Sequence, residues 1–387
     1  MHVLIAPCAF SGALSAGQAA TAMAQGWSQA APHDVLAAVP ICDGGPGFVE
    51  AVAATAGGRL HACVTTDPLG RSVPATILLA EVAGRPTAYV ESAQAIGVHL
   101  LAADERDPTR TTSFGVGALL SAALDLGATR IVIGLGGSGT NDAGAGLLSA
   151  VGVGSRARLG CGGLALLETR DDDLHGLEAA RDRFIGIDLV VATDTEGPLL
   201  GLKGTSALFA VGKGASEQQA QDLENAIGHF VSVVSRVRPP AKELLSGALL
   251  RPEREPGAGA AGGLGYSLGL LGARRMGGVQ GVLDAVGFDA LLAAADLVVT
   301  GEGRFDWESL HGPVAQVAAA AGKVGVPAVV VAGEAVVGRR EAMASGLSGV
   351  YAVAERRNQV DAALADPAGT LTARTARVAR TWSPARS

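Results

Sequence analysis

Along most of this chain a short apolar run is followed by a Gly-rich turn and then by a stretch with apolar residues at helical spacing. Residues 2–6, His-Val-Leu-Ile-Ala, predict a buried strand. A helix is expected from Ser15 to about Gln29, with Ser15 as its N-cap, because a serine oxygen can accept from the first free N–H groups. Residues 34–39 predict a second strand and residues 48–55 a second helix. Further strands are expected at 130–133, 187–192, 296–300 and 328–332. Each is short, rich in β-branched residues, and followed by a turn and a helical segment. Such alternation predicts parallel sheets with right-handed crossovers, and ligands of such sheets sit at the carboxyl ends of strands.

The middle of the chain departs from this rhythm. Residues 75–79 and 87–90, separated by Ala83-Gly-Arg-Pro86, predict an antiparallel hairpin. A mixed middle between parallel units predicts one domain inserted into another. Residues 253–259 are rich in Pro, Gly and charge and read as a mobile loop, and the tail 383–387 as frayed.

Composition narrows the function classes. Of 387 residues, 48% are hydrophobic, enough for a large core, and only 4% aromatic, so Ala, Val, Leu and Gly must build that core. A net charge of −7 leaves no basic footprint for nucleic acid. The four cysteines form no C-x-x-C pair and read as reduced thiols. No charged leader or long uninterrupted apolar run is present, so the expectation is a soluble, cytoplasmic protein with no membrane span and a small-molecule partner.

The loops after the strands carry the candidate chemistry. Gly134-Leu-Gly-Gly-Ser-Gly-Thr-Asn-Asp142 opens a helix expected near Ala143, a place where backbone N–H groups and the helix dipole favour an anion. The alternative is a tight turn without a ligand. Gly134, Gly136 and Gly139 also match the dinucleotide fingerprint, which makes an NAD(P)-dependent oxidoreductase a weaker alternative, since residues 143–167 lack the acid expected for the ribose. Gly257-Ala-Gly-Ala-Ala-Gly-Gly-Leu-Gly265 is a second such loop, with close helix packing as its alternative. No P-loop motif occurs. Acids follow strands at Asp43, at Asp194 and Glu196, and at Glu302 and Asp306, the last pair flanking Arg304. Each can hold a metal, act as a general base or cap the next helix. Three acidic loops with two Gly-rich loops favour phosphoryl transfer, which needs phosphate positioning, a divalent metal and a group orienting the attacking hydroxyl.

Several motifs in order carry a resemblance: Ile5-Ala-Pro7 with Phe10, Asp43-Gly-Gly45, Asp67-Pro-Leu-Gly70, residues 136–142 and 257–265, and Thr300-Gly-Glu-Gly-Arg304 with Asp306. Together they resemble the bacterial glycerate kinases. The resemblance implies an α/β fold: a flavodoxin-like parallel-sheet domain from residues 1–72 and 286–387, with a second mixed α/β domain, 73–285, inserted. It implies a kinase using ATP and Mg²⁺ on D-glycerate or a similar small hydroxy acid. Asp194, Glu302, Arg304 and Asp43 are the expected catalytic residues, with Asp194 and Glu302 as metal or base carboxylates. Gly136, Gly137, Ser138, Thr140, Asn141, Asp142 and Lys213 are the expected phosphate contacts. The sequence departs from the family's pattern where Cys8 and Pro46 replace acids and Ser11 and Pro313 replace lysines. The cations left near the motifs are Lys213, Lys203, Arg304 and Arg71. The rival reading from another class is a relative that binds a metabolite or a partner protein without phosphorylating anything.

Overall fold

The computed structural model describes residues 1–10, 12–243 and 247–383. From the N-terminus run β1 (His2–Pro7), α1 (Ala16–Ala30), β2 (Val35–Ala38), α2 (Phe48–Ala56), β3 (Arg59–Thr66), β4 (Ser72–Val82) and β5 (Arg85–Glu91). Then come α3 (Phe114–Asp125), β6 (Arg130–Gly134), α4 (Ala145–Ala150), β7 (Asp188–Ala192), α5 (Glu217–Val237), α6 (Ala260–Leu270) and β8 (Arg274–Met276). The last stretch holds α7 (Gly278–Ala285), β9 (Leu297–Phe305), α8 (Pro313–Lys323), β10 (Ala328–Ala335), β11 (Gly349–Ala352), α9 (Val360–Ala365) and α10 (Pro367–Trp382).

The chain divides into two compact units. The first comprises Met1–Asp43, Glu50–Gly57 and Val282–Ser387. Its sheet runs β11-β10-β9-β1-β2, parallel throughout. Counted within the unit, that is the 2-1-3-4-5 order of flavodoxin-like folds. Val3, Leu4, Ile5, Val298, Val299, Val329 and Val330 are all buried, as expected where helices cover both faces of a parallel sheet. Ser15 caps α1 as expected, in a reciprocal capping box with Gln18. One face of this sheet packs against α1 and α10, with Trp27 fully buried and its indole N–H donating to Asp34. Gly26 sits where a Cβ would run into the Thr372 backbone, so glycine sets how closely α1 and α10 approach.

The second unit comprises Gly44–Val49 and Gly58–Gly281. Its sheet runs β3-β4-β5-β6-β7-β8. The β3–β4 and β4–β5 pairs are antiparallel and the rest parallel. The hairpin expected at 83–86 turns on Ala83 and Gly84, both at positive φ, the conformation two-residue hairpin turns need.

Three features differ from the sequence reading. The first concerns the boundary placed at residue 72. β3 begins at Arg59 and pairs with β4, so after contributing Gly44–Val49 the chain passes into the second unit again at Gly58, and on the far side it leaves after Gly281 rather than 285. Second, β9 and β10 run on to Phe305 and Ala335, paired through Arg304 and Glu334. Glu302 and Arg304 therefore sit on a strand, not in a loop. The glycines that suggested a turn serve close approach instead: a Cβ on Gly301 would run into the Val331 carbonyl, and one on Gly333 into that of Gly303. Third, the end of the segment 253–259 is packed in, with Gly257, Ala258 and Gly259 buried and backbone bonds from Leu199 to Glu253 and from Gly259 to Gly197, while Arg254, Glu255 and Pro256 are exposed. At the tail, Ser383 is buried and donates its N–H to Ala379, while 384–387 lie outside the described residues. Among the described residues no helix is long and apolar enough to cross a membrane.

Candidate active site

In the first unit the candidate chemistry gathers at the carboxyl ends of β1 and β9. Strand alternation decides which side chains meet. Leu297 and Val299 pack toward α1 and α10, so Gly301 and Gly303 share that face and Glu302 takes the other. Cys8, whose N–H donates to the Gly301 carbonyl, is buried there. Burial pushes its thiol well above the ordinary range, and the nearby charges of Glu302, Cys42 and Asp43 push it further. Cys8 is thus a neutral thiol at the centre of a cluster that also holds two expected site residues, Glu302 and Asp43.

Glu302 is the most perturbed carboxyl of that cluster. Burial pushes it up to about 7, Asp306 adds to the rise, and the Ser309 hydroxyl pulls the other way. Its Oε1 is buried without a hydrogen-bond partner, which leaves an oxygen able to take a proton or a cation. Arg304, with 62% of its side chain exposed, stands 3.5 Å from Asp306. An exposed pair this loose contributes little stability, so the guanidinium can turn to a ligand. Pro313 occupies the first turn of α8, where its missing N–H costs nothing. Ser11 lies outside the described residues.

In the second unit the loop 134–142 is held by its own neighbours. A Cβ on Gly136 would lie 2.6 Å from the Gly45 Cα, and one on Gly137 2.9 Å from the Pro46 ring. These glycines let two loops touch. Asn141 is buried, donating to Ser206 at 2.9 Å and accepting from Thr205 at 3.1 Å. Asp142 is buried too. It accepts from the Ser113 N–H at 2.7 Å, from the Ser113 hydroxyl at 2.9 Å and from the Gly144 N–H at 3.1 Å. Asn141 and Asp142 therefore brace the loop. Thr140 is buried as well and offers its carbonyl to Lys213.

Lys213 reaches into this loop, its Nζ donating to the Ser138 Oγ at 2.9 Å and the Thr140 carbonyl at 2.7 Å. Burial pushes the ammonium down to about 7, partly offset by Asp142. Between that value and the ordinary 10.5 the unfolded chain holds a proton that the folded one has released. Stability should therefore rise with pH across this window, by at most about 1.4 kcal/mol per unit. Urea unfolding at pH 7.5 and 9.5 is expected to show the rise in the native protein and lose it in Lys213→Met.

Asp194 caps a helix. Its two oxygens accept from the Gly278 and Val279 N–H groups, at 3.0 and 3.2 Å, in the first turn of α7. These bonds are the capping alternative for an acid after a strand. Arg71 is likewise engaged, by Asp67 and by Glu105 at 2.6 Å, and Lys203 is exposed. One acid went unnoticed in the sequence. Glu91 is buried and accepts from the Gly47 and Val49 N–H groups, at 3.1 and 3.2 Å, at the start of α2. It too directly follows an expected strand, so the signal that picked out Asp194 could have found it.

Comparison with known proteins gives this geometry a family. The sequence profile of the glycerate kinase family matches residues 3–383. A glycerate kinase of Bacillus subtilis (strain 168) is 39% identical over 340 residues, covering 86% of this chain and 85% of that one. A glycerate 2-kinase of Escherichia coli (strain K12) is 39% identical over 321 residues, covering 81% of this chain and 80% of that one. A crystal structure from Salmonella typhimurium LT2, ascribed to a glycerate kinase 2, superposes with a TM-score of 0.78 at 33% identity, covering 99% of this chain and 98% of that one. The chain belongs to the glycerate kinase family.

Proposed function

We propose that this protein transfers the γ-phosphoryl group of ATP to a hydroxyl of D-glycerate or a similar small hydroxy acid, giving a phosphoglycerate and ADP. The observation that carries the reading is Glu302: a half-buried carboxyl pushed up to about 7, with one buried, unpartnered oxygen, toward the carboxyl end of β9. A base poised near neutrality suits abstraction of a hydroxyl proton. As the substrate oxygen bonds to the γ-phosphorus, the bond from phosphorus to the bridging oxygen breaks and ADP leaves. The hydroxyl proton goes to Glu302. Arg304 grips the substrate carboxylate or the transferring phosphoryl oxygens, for which its planar fork is suited. In the second unit Ser138 and Lys213 are assigned to phosphate, and Thr140, Asn141 and Asp142 to holding the loop.

Mg²⁺ fits the cluster in a limited way. Among the described residues no three His, Cys, Asp or Glu side chains form a ready cage. Mg²⁺ is ordinarily held through one or two carboxylates together with substrate phosphates. Asp43, exposed beside Glu302 and Cys8, would hold the ion that ATP carries. When bound, the ion supplies charge neutralisation on the phosphates.

The test is an initial-rate assay of ADP release with ATP, Mg²⁺ and a panel of small hydroxy acids, D-glycerate among them. Substrate-dependent release is expected. ATP or glycerate binding by calorimetry with no release across the panel would make the protein a binding module instead. Arg304→Lys keeps the charge but loses the fork, and should lower turnover at least about tenfold, a barrier change of roughly 1.4 kcal/mol. If Arg304 serves only Asp306, the variant should turn over normally.

A further inference from the structure

A cavity of about 310 Å³ lies at the carboxyl ends of β9 and β10, beside the part of the first unit's sheet that packs against α1 and α10. Its position follows from strand alternation. Leu297 and Val299 on β9, and Val329 and Val331 on β10, pack toward α1 and α10. Gly303 and Gly333, which line the cavity, continue those two rows and lay bare peptide backbone as its floor. The walls are Phe10, Val353, Pro367 and Leu371, with Ala363 and Leu364 of α9. Glu302, Arg304 and Glu334 contribute at the rim. None of the six residues of α9 is buried, and Leu364 is 59% exposed although it lines the cavity. An apolar helix face is thus held over an unfilled slot.

We propose that this slot receives the nucleobase of the phosphoryl donor, with the phosphates extending past the strand ends toward Arg304. The proposal rests on the kinase reading above. Size, lining and place support it. A volume of about 310 Å³ stands at the low end of the roughly 300–1,000 Å³ of small-molecule sites. It is larger than a three-carbon acid needs and too small for a whole nucleotide. Glycerate, a compact anion, would find apolar walls there and carboxylates at the rim, with Arg304 the one cation among the lining residues. A flat heteroaromatic ring can lie on the glycine floor and bury its faces against Phe10 and Leu364. The slot also opens at the carboxyl ends of β9 and β10, where open parallel sheets bind ligands. Its rim residue Glu302 carries the chemistry on the other face of the same strand, which joins base and phosphate sites across one strand end.

Two variants test the slot. Ala363→Phe fills it and Leu364→Asp places a charge in its wall. Each, checked for folding by thermal melt, should raise KM for ATP at least about tenfold, with a smaller change in KM for glycerate. Adenosine, which lacks phosphates, should bind the native protein by calorimetry, compete with ATP, and lose that binding in Ala363→Phe. If the native protein turns over and both folded variants keep KM for ATP within about twofold, the slot proposal is overturned while the kinase reading stands. If the native protein fails to turn over, the kinase reading fails and the adenosine titration decides the slot alone. Binding that Ala363→Phe abolishes upholds an adenosine site, and no binding in the native protein overturns it.

Discussion

Replacing Glu302 by glutamine should lower kcat by at least about a hundredfold, since removing a positioned general base typically forfeits about 10²–10⁴ in rate. The amide keeps the shape of the carboxyl but cannot take the hydroxyl proton. The pH dependence makes the effect specific. In the native protein kcat should rise as pH passes through about 7, where Glu302 gives up its own proton, and level off above it. In Glu302→Gln the residual rate should lose that rise. Stability should move the opposite way. A carboxyl raised from 4.5 to about 7 binds a proton in the folded state that the unfolded state has already lost. Between those values the native fold therefore loses stability as pH rises, and Glu302→Gln removes the loss. A merely structural Glu302 would give a variant that turns over normally, so steady-state kinetics beside a melt at pH 6 and 8 separates the roles.

Asp142→Ala should destabilise the second unit by about 3 kcal/mol, because it leaves several buried donors without their charged acceptor. The carboxylate accepts from Ser113 through both backbone and hydroxyl, and from the Gly144 and Gly146 N–H groups. It thereby ties the entry of α3 to the entry of α4. Burial pushes its own carboxyl above the ordinary range, and those hydrogen bonds offset part of the rise. Urea unfolding measures the cost. If Asp142 were instead a phosphate contact, the variant would stay as stable as the native protein and lose affinity for ATP.

What could be read from the sequence was the alternation itself. Residues 2–6, 130–133 and 187–192 announced buried strands because a parallel strand covered on both faces is apolar along its whole length. Where glycine intervened, local signals misled. Gly301, Gly303 and Gly333 looked like the end of a strand, yet they continue β9 and β10, and at Gly301 and Gly333 only glycine lets those backbones pass so closely. Acids after strands were found, but their roles were not. Whether Asp194 grips a metal or caps a helix depends on where Gly278 and Val279 return in the fold, 84 and 85 residues later. The same holds for Glu302, whose perturbation comes from burial by segments distant in sequence and is invisible in the string Thr-Gly-Glu-Gly-Arg. That the glycines of the Gly-rich loop pack against Gly45 and Pro46, far away in sequence, could not be read locally either.

The most direct measurement is phosphorus NMR on purified protein mixed with ATP, Mg²⁺ and D-glycerate. The γ-phosphorus signal of ATP is expected to be replaced, one for one, by ADP and a phosphate monoester on glycerate, and Glu302→Gln to slow this at least about a hundredfold. A folded native protein that leaves ATP intact, or that releases only inorganic phosphate with or without glycerate, would contradict the proposed function.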